Sequence, residues 1–238
     1  MDGEGTAGRP GTERTSPRFV PLPAYPTWDD ATRAARARAF LATMATRRTV
    51  RTFAPDPVPD EVLLPRLEAA GTAPSGAHQQ PWHFVVIRDA DTKRRIREAA
   101  EREEEAFYEG RAPDTWLEAL APLGTDAHKP FLEIAPVLVA VFEESWVAGP
   151  DGARQPRYYS KESVGLATGL LLAALHHAGL ATLTHTPSPM GFLRDILGRP
   201  AGEKAFVLLV VGHPAPDTQV PDLVRKPLDA FVHEPPAS

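Results

Sequence analysis

Arg47, Arg48 and Arg51 bring three guanidinium groups within five residues, with Thr49 and Val50 between them. A guanidinium stays charged at any working pH and offers paired N–H donors that match an oxyanion, so this run has the chemistry of a phosphate clamp. The chain carries no Gly-x-Gly-x-x-Gly and no P-loop pattern that would hold a phosphate through backbone amides instead. Further on, Pro74-Ser75-Gly76-Ala77-His78 forms a turn of small residues that lets backbone approach a flat ligand closely. A solvated basic turn beside an ordinary loop is the competing reading of the same residues.

Glu104 and Tyr108 are four apart in a segment patterned as a helix, so they share a face and can reach one ligand. A carboxylate that holds an ammonium, with a phenol beside it, suits one end of an amino acid zwitterion, and Lys129 can hold the carboxylate at the other. Taken alone, Glu103-Glu104-Glu105 reads as a solvated helix face. Thr184 and Thr186 flank His185 at the end of a strand, where hydroxyls can hydrogen-bond a ring nitrogen, but from the residues alone the reading that threonine simply favours strands and turns prevails. Other chemistries are disfavoured. The chain has no cysteine, which removes disulfides, thiolate metal sites and thiol nucleophiles. Its eight histidines show no metal-ligand spacing, so no metal is expected. Ser75 lies outside any Gly-x-Ser-x-Gly elbow.

The elements that must position these groups follow from the patterning. With 238 residues, 42% hydrophobic and 24% charged, the chain has the size and balance of a globular protein with ample core. A net charge of −5 argues against general nucleic-acid binding. Residues 1–27 read as a flexible tail, polar and then proline-rich, with no signal-peptide pattern, and 28–238 as the folded domain. A helix is expected over 31–46, capped by Asp29 or Asp30, and a second over 59–71, kinked or shifted by Pro65 and ended by Gly71. A strand over 83–89 precedes a charged helix capped by Asp91 and running to 109, with Glu98 and Arg102 spaced to pair. Residues 110–125 fit a mobile cover or a surface loop. Strands are expected over 136–143, 180–186 and 205–212, the last central in a sheet covered on both faces, and Ser160 is expected to cap a long apolar helix ending at Gly179. The apolar centre of that helix, 164–175, is too short to span a bilayer. From Gln219 the chain should wrap a surface or a partner. The alternation of elements indicates an α/β or α+β layered fold.

Taken together, these segments resemble the nitroreductase superfamily of FMN proteins, and within it the iodotyrosine deiodinase branch. The resemblance runs from about Phe19 to the end. It is carried by the arginine run, by Gly71-Thr72-Ala73-Pro74-Ser75-Gly76-Ala77-His78, by Glu104, Tyr108 and Lys129, and by Thr184-His185-Thr186-Pro187. Leu197-Gly198-Arg199-Pro200, Val220-Pro221-Asp222-Leu223 and Arg225-Lys226-Pro227-Leu228 extend it. The arginine run indicates the superfamily, and the Glu, Tyr and Lys set points to the branch.

The resemblance implies an α+β sandwich in an intertwined homodimer, with FMN bound at each of two interface sites. It implies that Arg47, Arg48, Thr49 and Arg51 bind the phosphate and ring edge, that Pro74 and Ser75 line the ring, and that Arg225 reaches the phosphate in the other subunit's site. Thr184 and Thr186 would sit beside the ring, Thr186 acting catalytically near N5. Glu104, Tyr108 and Lys129 would grip a halotyrosine, the Ala77 N–H would donate to its phenolate, and 104–129 would close as a lid. The implied reaction is reductive dehalogenation of halogenated tyrosines, in a cytoplasmic enzyme, with an unidentified electron donor and no pyridine-nucleotide fingerprint. The alternatives are a broad-specificity NAD(P)H-dependent nitroreductase or quinone reductase, and a non-catalytic flavin-binding protein. His185 stands where the family carries a threonine, and the segment after Thr186 is one residue short.

Overall fold

A computed structural model describes residues 16–235. Of the expected tail, 1–15 lie outside the described residues, and 16–27 form no helix or strand. The chain divides into two compact units, Met1–Phe40 and Leu41–Ser238. In the first, Asp29 accepts the Thr32 amide at 2.7 Å and so caps α1 (Asp30–Ala45), as its sequence anticipates. Arg36 lies 4.0 Å above the Trp28 ring.

Among its described residues the second unit holds six strands, β1 (Trp82–Ile87), β2 (Val137–Glu144), β3 (Trp146–Ala148), β4 (Arg154–Pro156), β5 (Ala181–His185) and β6 (Glu203–Gly212). Its helices are α2 (Asp60–Gly71), α3 (Ala90–Ala106), α4 (Asp114–Leu120), α5 (Phe131–Ile134), α6 (Ser160–His177) and α7 (Gly191–Ile196). Four strands form an antiparallel sheet in the order β1-β2-β6-β5, while β3 and β4 make a separate hairpin. The two central strands are apolar on both faces because helices cover both. Val139, Val141, Leu209 and Val211 pack with Leu63 of α2 and Val164, Leu171 and Leu175 of α6. Leu138, Ala140, Leu208 and Val210 pack with Ile96 of α3, Phe131 and Leu132 of α5 and Leu193 of α7. Period-two alternation thus sends odd positions to one helical layer and even positions to the other. This is the α+β sandwich, and β6 is central as expected. Among the described residues no helix is long and apolar enough to cross a membrane.

Several local expectations need correction. Asp89, rather than Asp91, caps α3 by accepting the Thr92 amide at 2.7 Å. Arg102 does not pair with Glu98; Arg97, one residue before Glu98, pairs with Glu101 and Glu133 instead. α2 runs through Pro65 and ends at Gly71 as expected, but the cap position beyond it is taken by Thr72, at φ −82°, whose hydroxyl donates to the Ala69 carbonyl, so Gly71 does not itself serve as the cap. Ser160 does not cap α6. Its hydroxyl donates to Glu143 at 2.6 Å, and Tyr159, at φ 50°, occupies the cap position. At the other end Gly179, at φ 79°, ends that helix as expected, with Leu180 N–H donating to the Leu175 carbonyl. The helix expected to reach 109 stops at Ala106 and continues as a π-helical turn, Phe107–Arg111.

Candidate functional site

β5 is an edge strand, and its open side takes the arginine run. Thr49 forms a single parallel bridge to Thr182, and Val50 N–H donates to the Thr182 carbonyl at 3.1 Å. Arg51 thereby comes alongside Thr184. The C-terminal strap returns to the same place: Arg225 donates to the Ala45 carbonyl at 2.8 Å and the Arg47 carbonyl at 2.5 Å. Together they line a cavity of about 350 Å³ with Arg47, Arg48, Thr49, Arg51, Thr184 and Arg225 on its polar side and Leu183, Val220, Pro221, Leu223 and Val224 on its apolar side. No carboxylate lines it. Four arginines in its lining, with no carboxylate, give it the chemistry to hold a dianion. Arg225 was expected to serve the other subunit's site, but here it joins its own chain's cluster, because its guanidinium is held by the carbonyls ending α1 and opening the arginine run.

A second cavity, of about 380 Å³, shares Arg51, Leu123, Leu183 and Thr184 with the first. Glu104, Tyr108, Lys129, His185 and Thr186 also line it. Glu104 lies on the last turns of α3, Tyr108 on the π-helical turn, and Lys129 just before α5. Lys129 is buried; its ammonium stands 3.5 Å from Glu104 and 5.9 Å from the Tyr108 ring, and donates to Thr125 Oγ1 at 3.3 Å and to the Asp126 carbonyl. Burial pulls its pKa below the usual lysine value, and Glu104 opposes that shift. Tyr108 OH donates to the Thr125 carbonyl at 3.2 Å, and burial raises its pKa. The three side chains expected to form a clasp therefore meet. A zwitterion with its ammonium beside Glu104 and its carboxylate beside Lys129 would extend this ion pair into four alternating charges.

The lining also contains groups that sequence reasoning missed. Phe107 and Trp116 stack edge-to-face at 5.2 Å, and with Leu120 and Leu123 they give the segment over the cavity an apolar face. An aromatic in an otherwise irregular, polar stretch was the available signal.

His185, between the exposed Thr184 and Thr186, is itself only 7% exposed. Its ring stands edge-on to Phe131 at 5.9 Å, and its Nε2 is buried with no hydrogen-bond partner. Burial first, then Lys129 and Arg51, push its pKa down to about 3, so it is neutral at physiological pH. The unfolded chain takes up the proton near the ordinary value and the folded chain does not, so stability is lost as pH falls from about 6.5 towards 3. This residue accounts for about 2 kcal/mol of lost stability between pH 7 and pH 5. A His185→Thr variant will show a smaller drop in denaturant midpoint over that interval; an equal drop would assign the acid sensitivity elsewhere.

Pro74, Ser75 and Ala77 are not brought to these cavities within the chain. Their loop lies against α6: Gly76 N–H donates to Ser163 Oγ at 3.3 Å, Gln79 accepts the Tyr158 amide at 2.7 Å, and Ser75 Oγ accepts the Gln80 amide at 2.9 Å. A Cβ on Gly76 would collide with the Tyr158 carbonyl, which explains the glycine. Ala77 holds φ 50°, a left-handed conformation unusual for a residue with a side chain. Pro74 instead edges an apolar cleft with Gly165, Leu166, Gly169 and Leu170 of α6.

Comparison with known proteins matches this architecture. The Nitroreductase family model matches residues 44–213. An iodotyrosine deiodinase from Haliscomenobacter hydrossis is 50% identical over 213 residues, covering 90% of this chain and 96% of its own. One from Danio rerio is 48% identical over 195 residues, covering 82% of this chain and 66% of its own. A crystal structure of oxidised iodotyrosine deiodinase bound to FMN and 3-iodo-L-tyrosine superposes with a TM-score of 0.70 at 32% identity, covering 82% of this chain and all of the other. With its antiparallel sheet between two helical layers, its arginine-lined edge and these matches over most of its length, the chain belongs to the nitroreductase family, in the iodotyrosine deiodinase branch.

Proposed function

We propose that this chain is an FMN-dependent oxidoreductase that reductively dehalogenates halogenated tyrosines, converting iodotyrosine to tyrosine and iodide. The observation that carries the reading is the convergence of Glu104, Tyr108 and Lys129 in a cavity that shares Arg51, Leu123, Leu183 and Thr184 with the arginine-lined one. The residues present fit the cofactor. Four guanidinium groups with no lining carboxylate suit its phosphate, and the shared wall of Leu183 and Thr184 suits the edge of a flat ring. The two cavities together lie in the size range of a cofactor and a small ligand. When bound, the flavin supplies the two electrons that, with one proton, replace the carbon–halogen bond by a carbon–hydrogen bond and release halide.

The chain's own groups bind and orient. Arg47, Arg48, Thr49, Arg51 and Arg225 would hold the phosphate and ring edge, and Thr184 and Thr186 would lie beside the ring, where the Thr186 hydroxyl would serve as the catalytic hydrogen-bonding group. Glu104 takes the substrate ammonium and Lys129 its carboxylate, beside the Tyr108 phenol. The segment 104–129 closes over them as a lid whose apolar face excludes water. A second copy of the chain supplies Pro74, Ser75 and Ala77, the last donating its N–H to the substrate phenolate. The apolar cleft beside Pro74 and the exposed Leu166 and Leu170 of α6 support such a homodimer. An ortho halogen acidifies the phenol, so a site built for the phenolate selects halotyrosine over tyrosine.

The purified protein will be yellow, elute as a dimer, and release iodide from 3-iodotyrosine when dithionite supplies electrons. Fast nitroarene reduction with NADPH and no halide release would assign it to the nitroreductases instead.

A further inference from the structure

Lys129 is held at both ends by one face of α3. Glu104 faces its ammonium at 3.5 Å, and three residues earlier Glu101 accepts its backbone N–H at 2.7 Å. Residues three apart on a helix share a face, so one turn of α3 fixes both the main chain and the charge of this lysine. Glu101 is itself fixed. Its other oxygen pairs closely with Arg97, whose Nε donates to Glu133 of α5 at 2.7 Å, and its side chain is mostly buried. His128 adds a contact at 3.5 Å. Neither Glu101 nor Arg97, Glu133 or His128 lines either cavity.

Taking the proposed function as its premise, we infer that Glu101 is a positioning residue that pins the Lys129 main chain to α3, making Lys129 the fixed jaw of the substrate clasp. A lysine side chain has four carbons of reach and little stiffness, so the position of its ammonium is only as well defined as its backbone. Tyr108 belongs to the part that moves. It sits on a π-helical turn, a geometry that loosens the helical hydrogen-bond ladder, and its hydroxyl rests on the Thr125 carbonyl of the returning segment. With the amide of Lys129 latched, closing the lid needs to order Tyr108 and the stretch that follows, and the carboxylate-binding end is set beforehand.

The test compares Glu101→Ala with Glu101→Gln in the FMN-loaded protein, since Gln keeps an oxygen that can accept the Lys129 amide and Ala does not. Flavin content will match the parent in both. Titration with 3-iodotyrosine, read by flavin fluorescence, will show binding weakened about tenfold in the Ala variant and largely restored in the Gln variant, as expected for one hydrogen bond to a carboxylate. Hydrogen exchange at the Lys129 amide, without substrate, will be faster in the Ala variant while β2 amides stay protected. Unchanged binding in the Ala variant, equal weakening in both variants, or exchange accelerated throughout β2 would each overturn the inference. If the parent protein itself fails to bind 3-iodotyrosine, the proposed function falls, and amide exchange at Lys129 still decides whether Glu101 is its latch.

Discussion

Glu104→Gln will bind 3-iodotyrosine on the order of a hundredfold more weakly than the parent, while its flavin content stays normal. Gln has nearly the same shape, so the packing of α3 under the lid persists. What disappears is the negative charge 3.5 Å from a buried ammonium. Two losses follow. The substrate ammonium loses its counter-ion, and Lys129, already pulled below its ordinary pKa by burial, loses the neighbour that most strongly opposes that shift. A lysine that gives up its proton more readily also holds the substrate carboxylate less well, so both ends of the clasp weaken. Flavin uptake is spared because Glu104 does not line the arginine cavity. Flavin fluorescence titration reads the result. An affinity equal to the parent's would show that another group takes the ammonium.

Replacing Arg48 and Arg51 together by alanine will leave a folded, nearly colourless protein. Each guanidinium removed from a phosphate costs about 1.5–3 kcal/mol, so the pair weakens FMN binding by roughly three orders of magnitude. The fold has no stake in these charges: Arg48 is exposed, and neither side chain enters an ion pair with a described residue. Flavin absorbance after purification, with thermal unfolding of the apoprotein as control, reads the result. Arg48→Lys with Arg51→Lys will recover only part of the loss, because an ammonium cannot reproduce the paired donors. Binding by the parent will weaken with added salt. A double alanine variant that keeps its full colour would remove the arginine cavity as the phosphate site.

Much of the layered fold was legible because it follows local rules. The apolar run of β6 announced a strand covered on both faces, Asp29 announced the start of α1, and Gly179 the end of α6. The spacing of Glu104 and Tyr108 placed them on one face without further information. The shorter pieces were not legible. α4, α5 and α7 have seven, four and six residues, too short to be stable by propensity, and packing alone maintains them. Cap residues were misassigned where a competing partner existed: Ser160 gives its hydroxyl to Glu143, and Asp89 takes the role expected of Asp91.

The amino-acid order by itself determined which chemical groups were available: a guanidinium cluster, a carboxylate one helical turn from a phenol, and paired threonines at a strand end, since each depends on neighbours along the chain. Tertiary structure decided which of them share a cavity. Arg225 reaches Arg47 across 178 positions, Thr49 pairs with an edge strand more than a hundred residues away, and Pro74-Ser75-Gly76-Ala77 lies against α6, away from both cavities. The burial of His185 and the clamping of Lys129 at both ends belong to the same category. Such contacts join segments whose separation no local periodicity encodes, and they form because the two helical layers close on the sheet and exclude water from both of its faces.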